Sequence, residues 1–279
     1  MRRERIADDI YVFISERYAQ VTMGAILTEQ GAVVIDTFPF PQETSEVLDF
    51  IQHLAVQGVR YVINTHYHAD HTYGNYLFAE AEIIAHRLTR ETLARLGPEN
   101  LAKAKQETNE LADVQIRLPD LTFETELYVH LGGRTLHLMH TPGHTDDSIV
   151  VMVEGDKILF TGDTVMPVPY IVWGDQAKSV EALQFVQDLR PENIVQGHGD
   201  ILLRGELRQD IEDSICYLNS IYERVKKLID NNAPESRLAQ IDIETCGKSR
   251  IPLDGLVRQL HQANLLYLYR KLKAEKRKR

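Results

Sequence analysis

The chain has 279 residues, 43% of them hydrophobic and 26% charged, with a net charge of −10. That length suits one large domain or two small ones with a sizeable core, and the acidic balance argues against nonspecific binding to nucleic acid or to a membrane. Two cysteines, Cys216 and Cys246, make no disulfide framework, no apolar run spans a membrane, and no apolar segment follows the N-terminal arginines, so a soluble cytoplasmic protein without a signal peptide is expected.

Residues 1–5 and 271–279 are basic and read as solvated, frayed termini. Residues 10–14 form the first strand. Residues 23–28 and 32–35 are two more, joined by Glu29-Gln30-Gly31 as a hairpin turn and ended by Asp36. Residues 41–57 carry Val47, Leu48, Ile51, Leu54 and Ala55 at helical spacing, with Pro41 suited to the first turn and Gly58 as the stop. Residues 60–64 are an apolar, β-branched strand, a helix follows at 73–78, and 82–85 are a short strand. Residues 87–96 and 99–111 read as two helices on either side of Gly97-Pro98. Residues 126–130 and 134–140 form a second hairpin across Gly132-Gly133, and strands at 149–153 and 157–160 flank Glu154-Gly155-Asp156. Residues 166–175 are a proline-containing aromatic loop, 179–189 a helix capped by Ser179, and 193–196 a strand. The remainder is helical at 206–230 and 253–273, around a polar linker at 231–252 that reads as a mobile loop. Each half runs from a hairpin into strand–helix units, a layout that favours an α/β fold of two mixed sheets packed face to face with helices outside.

The stretch Thr65-His66-Tyr67-His68-Ala69-Asp70-His71 directly follows the strand at 60–64. In extended backbone His66 and His68 point the same way and grip one metal ion, while the turn that follows aims Asp70 and His71 at a second position. Imidazole nitrogens and carboxylate oxygens suit zinc, and also iron or manganese. His144, Asp163 and His198 each lie just after a predicted strand and beside a glycine, where the backbone turns sharply and side chains converge. His66, His68 and His144 are expected to hold one ion and Asp70, His71 and His198 the other. Asp163, with two oxygens, bridges them, and Asp70 both binds the second ion and orients the nucleophile. His53, His86, His130 and His261 have no partner at ligand spacing and, with His137 and His140, read as structural. Cys216 reads as a packing residue. Tyr67, Phe38, Phe40, Tyr170 and Trp173 are candidates for the lining of a substrate cleft, which the sequence does not otherwise define.

Taken in order, His-x-His-x-Asp-His at 66–71, Thr-Pro-Gly-His ending at His144, Thr-Gly-Asp ending at Asp163 and Gly-His ending at His198 resemble the metallo-β-lactamase superfamily over residues 36–198. The resemblance implies an αββα sandwich with two metals at one edge between the sheets. It also implies one domain of that kind over 1–279, with 205–279 as a helical extension packed on it, and a supporting role for Asp36 beneath the metal loop. Dedicated zinc β-lactamases have cysteine or no ligand at the Asp163 position, whereas the glyoxalase II-like, lactonase and phosphodiesterase branches have Asp. Residues 144–151 nevertheless look like the corresponding β-lactamase stretch. His68 speaks against the flavodiiron oxygen reductases, which have an acidic residue there. The expected activity is a dinuclear zinc hydrolase of a small carbonyl substrate (ester, thioester, lactone or lactam) using a metal-bridging hydroxide, with at most weak β-lactamase activity. A phosphodiesterase or nuclease on the same site is the alternative, and an iron enzyme like the one-ion persulfide dioxygenases a more distant one. Two Zn2+ ions and a small-molecule substrate are the expected partners, with no nucleic acid and no membrane. The helices over 87–111 and at the C-terminus either cap the cleft or form a homodimer contact, and the sequence does not separate the two.

Overall fold

Along the strand Ile10–Ile14, Ile10, Val12 and Ile14 join one apolar cluster while Tyr11 and Phe13 join another. The same period of two separates Ile149, Val151 and Val153 from Val150 and Met152. Successive side chains leave a strand on opposite faces, so strands apolar on both faces belong to sheets covered on both sides. The computed structural model describes residues 1–278 and has two such sheets. The first has seven strands in chain order, β1 (Arg2–Ala7), β2 (Ile10–Ile14), β3 (Thr22–Thr28), β4 (Gly31–Ile35), β5 (Val59–Ile63), β6 (Glu82–His86) and β7 (Leu121–Phe123). The second has six, β8 (Glu126–Leu131), β9 (Arg134–His140), β10 (Ile149–Val153), β11 (Ile158–Gly162), β12 (Asn193–Gln196) and β13 (Leu202–Leu203), again side by side in sequence order. Both are mixed. Antiparallel hairpins come first, and parallel pairing follows at β4–β5–β6–β7 and at β11–β12.

The helices are α1 (Pro41–Leu54), α2 (Ala69–Thr72), α3 (Arg87–Glu107), α4 (Gln176–Asp188), α5 (Leu207–Asp230) and α6 (Val257–Lys278). Between the sheets lies a core that joins Ile35, Ile63 and Ile84 to Leu138, Val151 and Phe160. Val47 and Ile51 of α1 cover the outer face of the first sheet. The outer face of the second is covered by α4, α5 and α6, with Ile211, Leu218, Ile221, Val225 and Ile229 of α5 recurring at the three-to-four spacing of a helix stripe. The architecture is therefore an αββα sandwich. Among the described residues, no helix is long and apolar enough to cross a membrane.

Several local expectations are corrected. Residues 2–7 are not frayed but form β1, zipped antiparallel to β2. The basic C-terminal stretch continues α6 to Lys278, with Lys271 bound to Asp175 at 2.9 Å and Lys276 to the Ile229 carbonyl at 3.1 Å. Arg279, the last of that stretch, lies outside the described residues. Residues 87–107 form one helix through Pro98. Proline removes a single backbone donor, and here the carbonyl it frees belongs to exposed Ala94, where solvent can supply the lost partner. Asp175, not Ser179, caps α4, accepting from the amides of Ala177 and Lys178. The linker at 231–252 is no mobile loop, because Leu238, Ile241, Ile243 and Cys246 are buried in the core beside α5 and α6. Cys216 is exposed, and Cys246 is the packed cysteine.

Leu138 is fully buried between the sheets. Leu138→Ala is expected to lower the unfolding free energy by about 2–5 kcal/mol, measured by urea denaturation. An unchanged midpoint would show that the two sheets do not depend on this shared core.

Candidate metal centre

Every ligand-type side chain singled out in the sequence sits at one edge of the sandwich. β5 ends at Ile63, and the chain turns through His66 and His68 into α2, which carries Asp70 and His71. His144 lies in the loop between β9 and β10, Asp163 follows β11 and His198 follows β12. Backbone hydrogen bonds join the two halves here, from Thr22 N–H to Gly197 O, from Gly199 N–H to Gln20 O and from Ile149 N–H to Thr65 O, each at 2.9 Å. Gly197 is required by space, since a side chain there would occupy the position of the Asp163 carboxylate.

The hydrogen bonds around the ring fix which atoms face its centre. His144 Nδ1 donates to Tyr170 O at 2.7 Å, and His198 Nδ1 donates to Ala19 O at 2.9 Å. His71 Nδ1 donates to Asp36 Oδ2 at 2.9 Å. Thr65 Oγ1 spends its proton on Asp36 Oδ2 at 2.7 Å and so accepts from His66 Nδ1 at 3.1 Å. In each of these four rings the proton is used outward, and a bare Nε2 points inward. His68 turns its Nδ1 to the same place, 3.0 Å from both His66 Nε2 and His144 Nε2. Asp163 Oδ2 lies 3.4 Å from His144 Nε2 and 3.8 Å from His66 Nε2, while its Oδ1 lies 3.2 Å from His71 Nε2 and 3.5 Å from His198 Nε2. Asp70 Oδ2 is 3.4 Å from His198 Nε2. The atoms form two groups, His66, His68, His144 and Asp163 in one and Asp70, His71 and His198 in the other, each within 4.8 Å. Buried acceptors facing acceptors need a cation. Two of them, His71 Nε2 and Asp163 Oδ1, have no hydrogen-bond partner in the protein. The donor set therefore fits two metal ions of the kind that take nitrogen and oxygen.

A family model described as the metallo-β-lactamase superfamily matches residues 18–198. The chain belongs to the metallo-β-lactamase superfamily. It is similar to a Caenorhabditis elegans protein described as a β-lactamase-like protein 2 homolog, 28% identical over 52% of this chain and 43% of that one. It is also similar to the Bos taurus acyl-coenzyme A thioesterase MBLAC2, 32% identical over 40% of this chain and 43% of the cattle protein. The chain thus matches less than half the length of either relative. The solved sec-alkylsulfatase Pisa1 from a Pseudomonas species superposes with a TM-score of 0.74 at 15% identity, over 96% of this chain and 50% of the other, a likeness of fold. A match that wide takes in most of α5 and α6.

In this member of the superfamily, charge follows the same geometry. Burial, and the neighbouring His71, hold His66 well below the usual histidine range. Burial and then His144 push His68 down to about 3. Burial works against His198 as well, yet Asp163 and Asp70 raise it to about 10. His71 is raised in the same way by Asp163 and Asp36, against burial. Asp70 is held at about 2 by His71 and His198, again against burial. Without a cation, the surrounding carboxylates draw His198 and His71 toward the protonated state.

Asp36 and Asn264 complete the setting. Asp36 is buried at the end of β4 and accepts from Thr65 N–H and Thr65 Oγ1, both at 2.7 Å, as well as from His71. The His71 carbonyl is held by Thr37 and Asn64, whose side chains no sequence motif had marked. Asn264 on α6, fully buried, brackets Tyr170 by donating to Pro169 O at 2.7 Å and accepting from Ile171 N–H at 2.9 Å. The carbonyl that orients His144 is thus fixed from the C-terminal helix. Beside the ring is a cavity of about 470 Å³ floored by His68, Asp70, Asp163 and His198. Tyr67, Tyr170 and Trp173 line it, whereas Phe38 is buried in the core beside α1 and Phe40 packs behind the lining residues Tyr18 and Tyr73. Tyr18, Met166 and leucines of α3 and of the segment before α6 also line it. The sequence offered only helical leucines there, which ordinarily read as core.

Two outcomes are expected. Asp36→Asn puts a donor where acceptors are needed and should weaken metal binding about 10–100-fold with the fold intact, read by chelator competition and circular dichroism. Unaltered affinity would remove Asp36 from the support of the ring. Metal binding must also compete with the proton on His198, so affinity should fall as pH falls below about 10, and the raised His71 works in the same direction. Calorimetry at neutral pH in buffers of different ionisation enthalpy should show net proton release, and zero release would contradict this charge distribution.

Proposed function

We propose that the chain is a hydrolase of a small carbonyl substrate, an ester, thioester, lactone or lactam, working at a centre of two zinc ions, with iron or manganese as chemically acceptable substitutes. The observation that carries this reading is the convergence of seven side chains, His66, His68, His144, Asp163, Asp70, His71 and His198, each offering a ring nitrogen or a carboxylate oxygen to one of two adjoining groups. The first three, with Asp163 Oδ2, would hold one ion, and the last three, with Asp163 Oδ1, the other. When bound, the ions would supply Lewis acidity toward the carbonyl and lower the pKa of water. Asp70 lies on the cavity floor and stays ionised at neutral pH, so it can orient a water by accepting a hydrogen bond from it. Tyr18, raised to about 12 by Asp70 and by burial, stays a neutral phenol and can donate a hydrogen bond to the substrate. Among the described residues, the cavity lining includes no lysine or arginine. Beyond the metal ligands, a phosphodiester or the carboxylate of a β-lactam would find no lysine or arginine there, which favours acyl esters and thioesters and is consistent with at most weak β-lactamase activity. The thioesterase name of the cattle relative supports the same choice.

The test is elemental analysis with a hydrolysis panel of esters, thioesters, lactones, β-lactams and phosphodiesters. About two metal ions per chain are expected, and full activity at a firm ratio of one would sink the two-ion reading. Asp163→Asn keeps the size but leaves one neutral oxygen to face both groups. It should weaken one ion more than the other and lower turnover about 100-fold or more, roughly 3 kcal/mol of barrier. Parent-like metal titration and turnover would take Asp163 out of the mechanism.

A further inference from the structure

We propose that the cavity beside the metal ligands is an acyl-chain site, selective for uncharged, medium-length hydrocarbon acyl groups. This deepens the hydrolase reading and rests on it. Leu93 and Leu96, three apart on α3, lie on one face of that helix and form one wall. Leu256, in the turn before α6, and Leu260, in its first helical turns, form another with Leu253. Met166, from the loop after Asp163, also lines the space, and Met adapts to irregular apolar occupants. Leu93 and Leu253 are buried, but Leu96, Leu256 and Leu260 are only half-buried beside the ring of ligands. Leu96 belongs to none of the molecule's apolar core clusters, so its hydrocarbon is not committed to holding α3 in place. Water released from these walls is the driving force for an apolar occupant.

Charge sets the other half of the selectivity. Between the leucine walls, among the described residues, no lysine or arginine lines the cavity. At the leucine end, away from the metal ligands, a terminal carboxylate would leave water with no lysine or arginine to compensate it and is rejected. The volume, about 470 Å³, lies in the range of pockets that enclose most of a small ligand. The reacting carbonyl therefore belongs at the floor, by His68, Asp70, Asp163 and His198, with the hydrocarbon between α3 and the start of α6. On this assignment the C-terminal segment is part of the substrate site.

The experiment uses the full chain loaded with zinc. Acetyl, hexanoyl, decanoyl and succinyl thioesters of N-acetylcysteamine, and the matching 4-nitrophenyl esters, are compared by kcat/KM. Titration calorimetry with acetate and decanoate measures binding without chemistry. Each methylene that enters the cavity should raise kcat/KM about threefold to fourfold until the space is filled. Succinyl substrates should be poorer than hexanoyl ones, and decanoate should bind about 100-fold or more tighter than acetate. Leu96→Ala should flatten the chain-length dependence and lower the decanoyl value about tenfold more than the acetyl value. Leu96→Arg should move preference toward succinyl. If no ester or thioester is cleaved but decanoate still outbinds acetate, the hydrolase reading fails and the acyl site stands. Cleavage indifferent to chain length, succinyl equal to hexanoyl, or decanoate bound no tighter than acetate overturns the acyl site.

Discussion

One buried carboxylate sets the geometry of the metal edge. Asp36 sits at the end of β4 with φ +59°, a left-handed conformation that Asp tolerates better than most side chains. The turn sends its two oxygens under the next strand, where they take the Thr65 amide, the Thr65 hydroxyl and His71 Nδ1. Because the Thr65 proton is used there, Thr65 must accept from His66. One anion thus decides the tautomer of His71 directly and of His66 through a hydroxyl. Each displaced proton leaves a bare nitrogen pointing inward, which is what a metal ion requires.

The opposite side of the ring is held by another route. His144 is oriented by the Tyr170 carbonyl, and Asn264 grips the peptide groups on either side of that residue. Asn264 also donates to the hydroxyl of Tyr217, which meets His261, so α5 and α6 form one buried polar network behind the loop. Every polar atom of the Asn264 amide has a use, and such satisfied networks rigidify what they touch. The helices that close the core of the second sheet therefore also bear on a ligand of the ring. The leucines beside α6 bound the cavity as well, so one C-terminal region reaches both the ligands and the occupant.

The ring is a meeting of repelling and attracting charges that only a cation or protons can balance. Asp163 divides its oxygens between the two groups, and His198 and His71 are drawn toward the protonated state by the carboxylates around them. The unpartnered atoms at His71 and Asp163 mark the places where the protein alone leaves the balance unfinished.

Much of this was legible in the chain itself. Period-two apolar strands, the hairpin at Glu29-Gln30 and the spacing of α1 pointed to two covered mixed sheets, because apolar periodicity is a local property. The run of His66, His68, Asp70 and His71 after one strand, and the positions of His144, Asp163 and His198 after three others and beside glycines, marked the edge where they meet. Local signals failed where distant contacts decide. Residues 2–7 look like a charged tail until β2 pairs with them, and the 231–252 linker looks mobile until Ile241 and Cys246 find the core. Pro98 looks like a break until the residue whose carbonyl it frees, Ala94, proves to be exposed. Phe38 and Leu96 are equally apolar as letters, yet one fills the core and the other lines the cavity. The residue types and their order determined the sandwich and the ligand candidates. Tautomers, the grip of Asn264 on the loop around Tyr170 and the walls of the cavity depend on groups far apart in sequence meeting at hydrogen-bond or van der Waals distance, which only the tertiary structure decided.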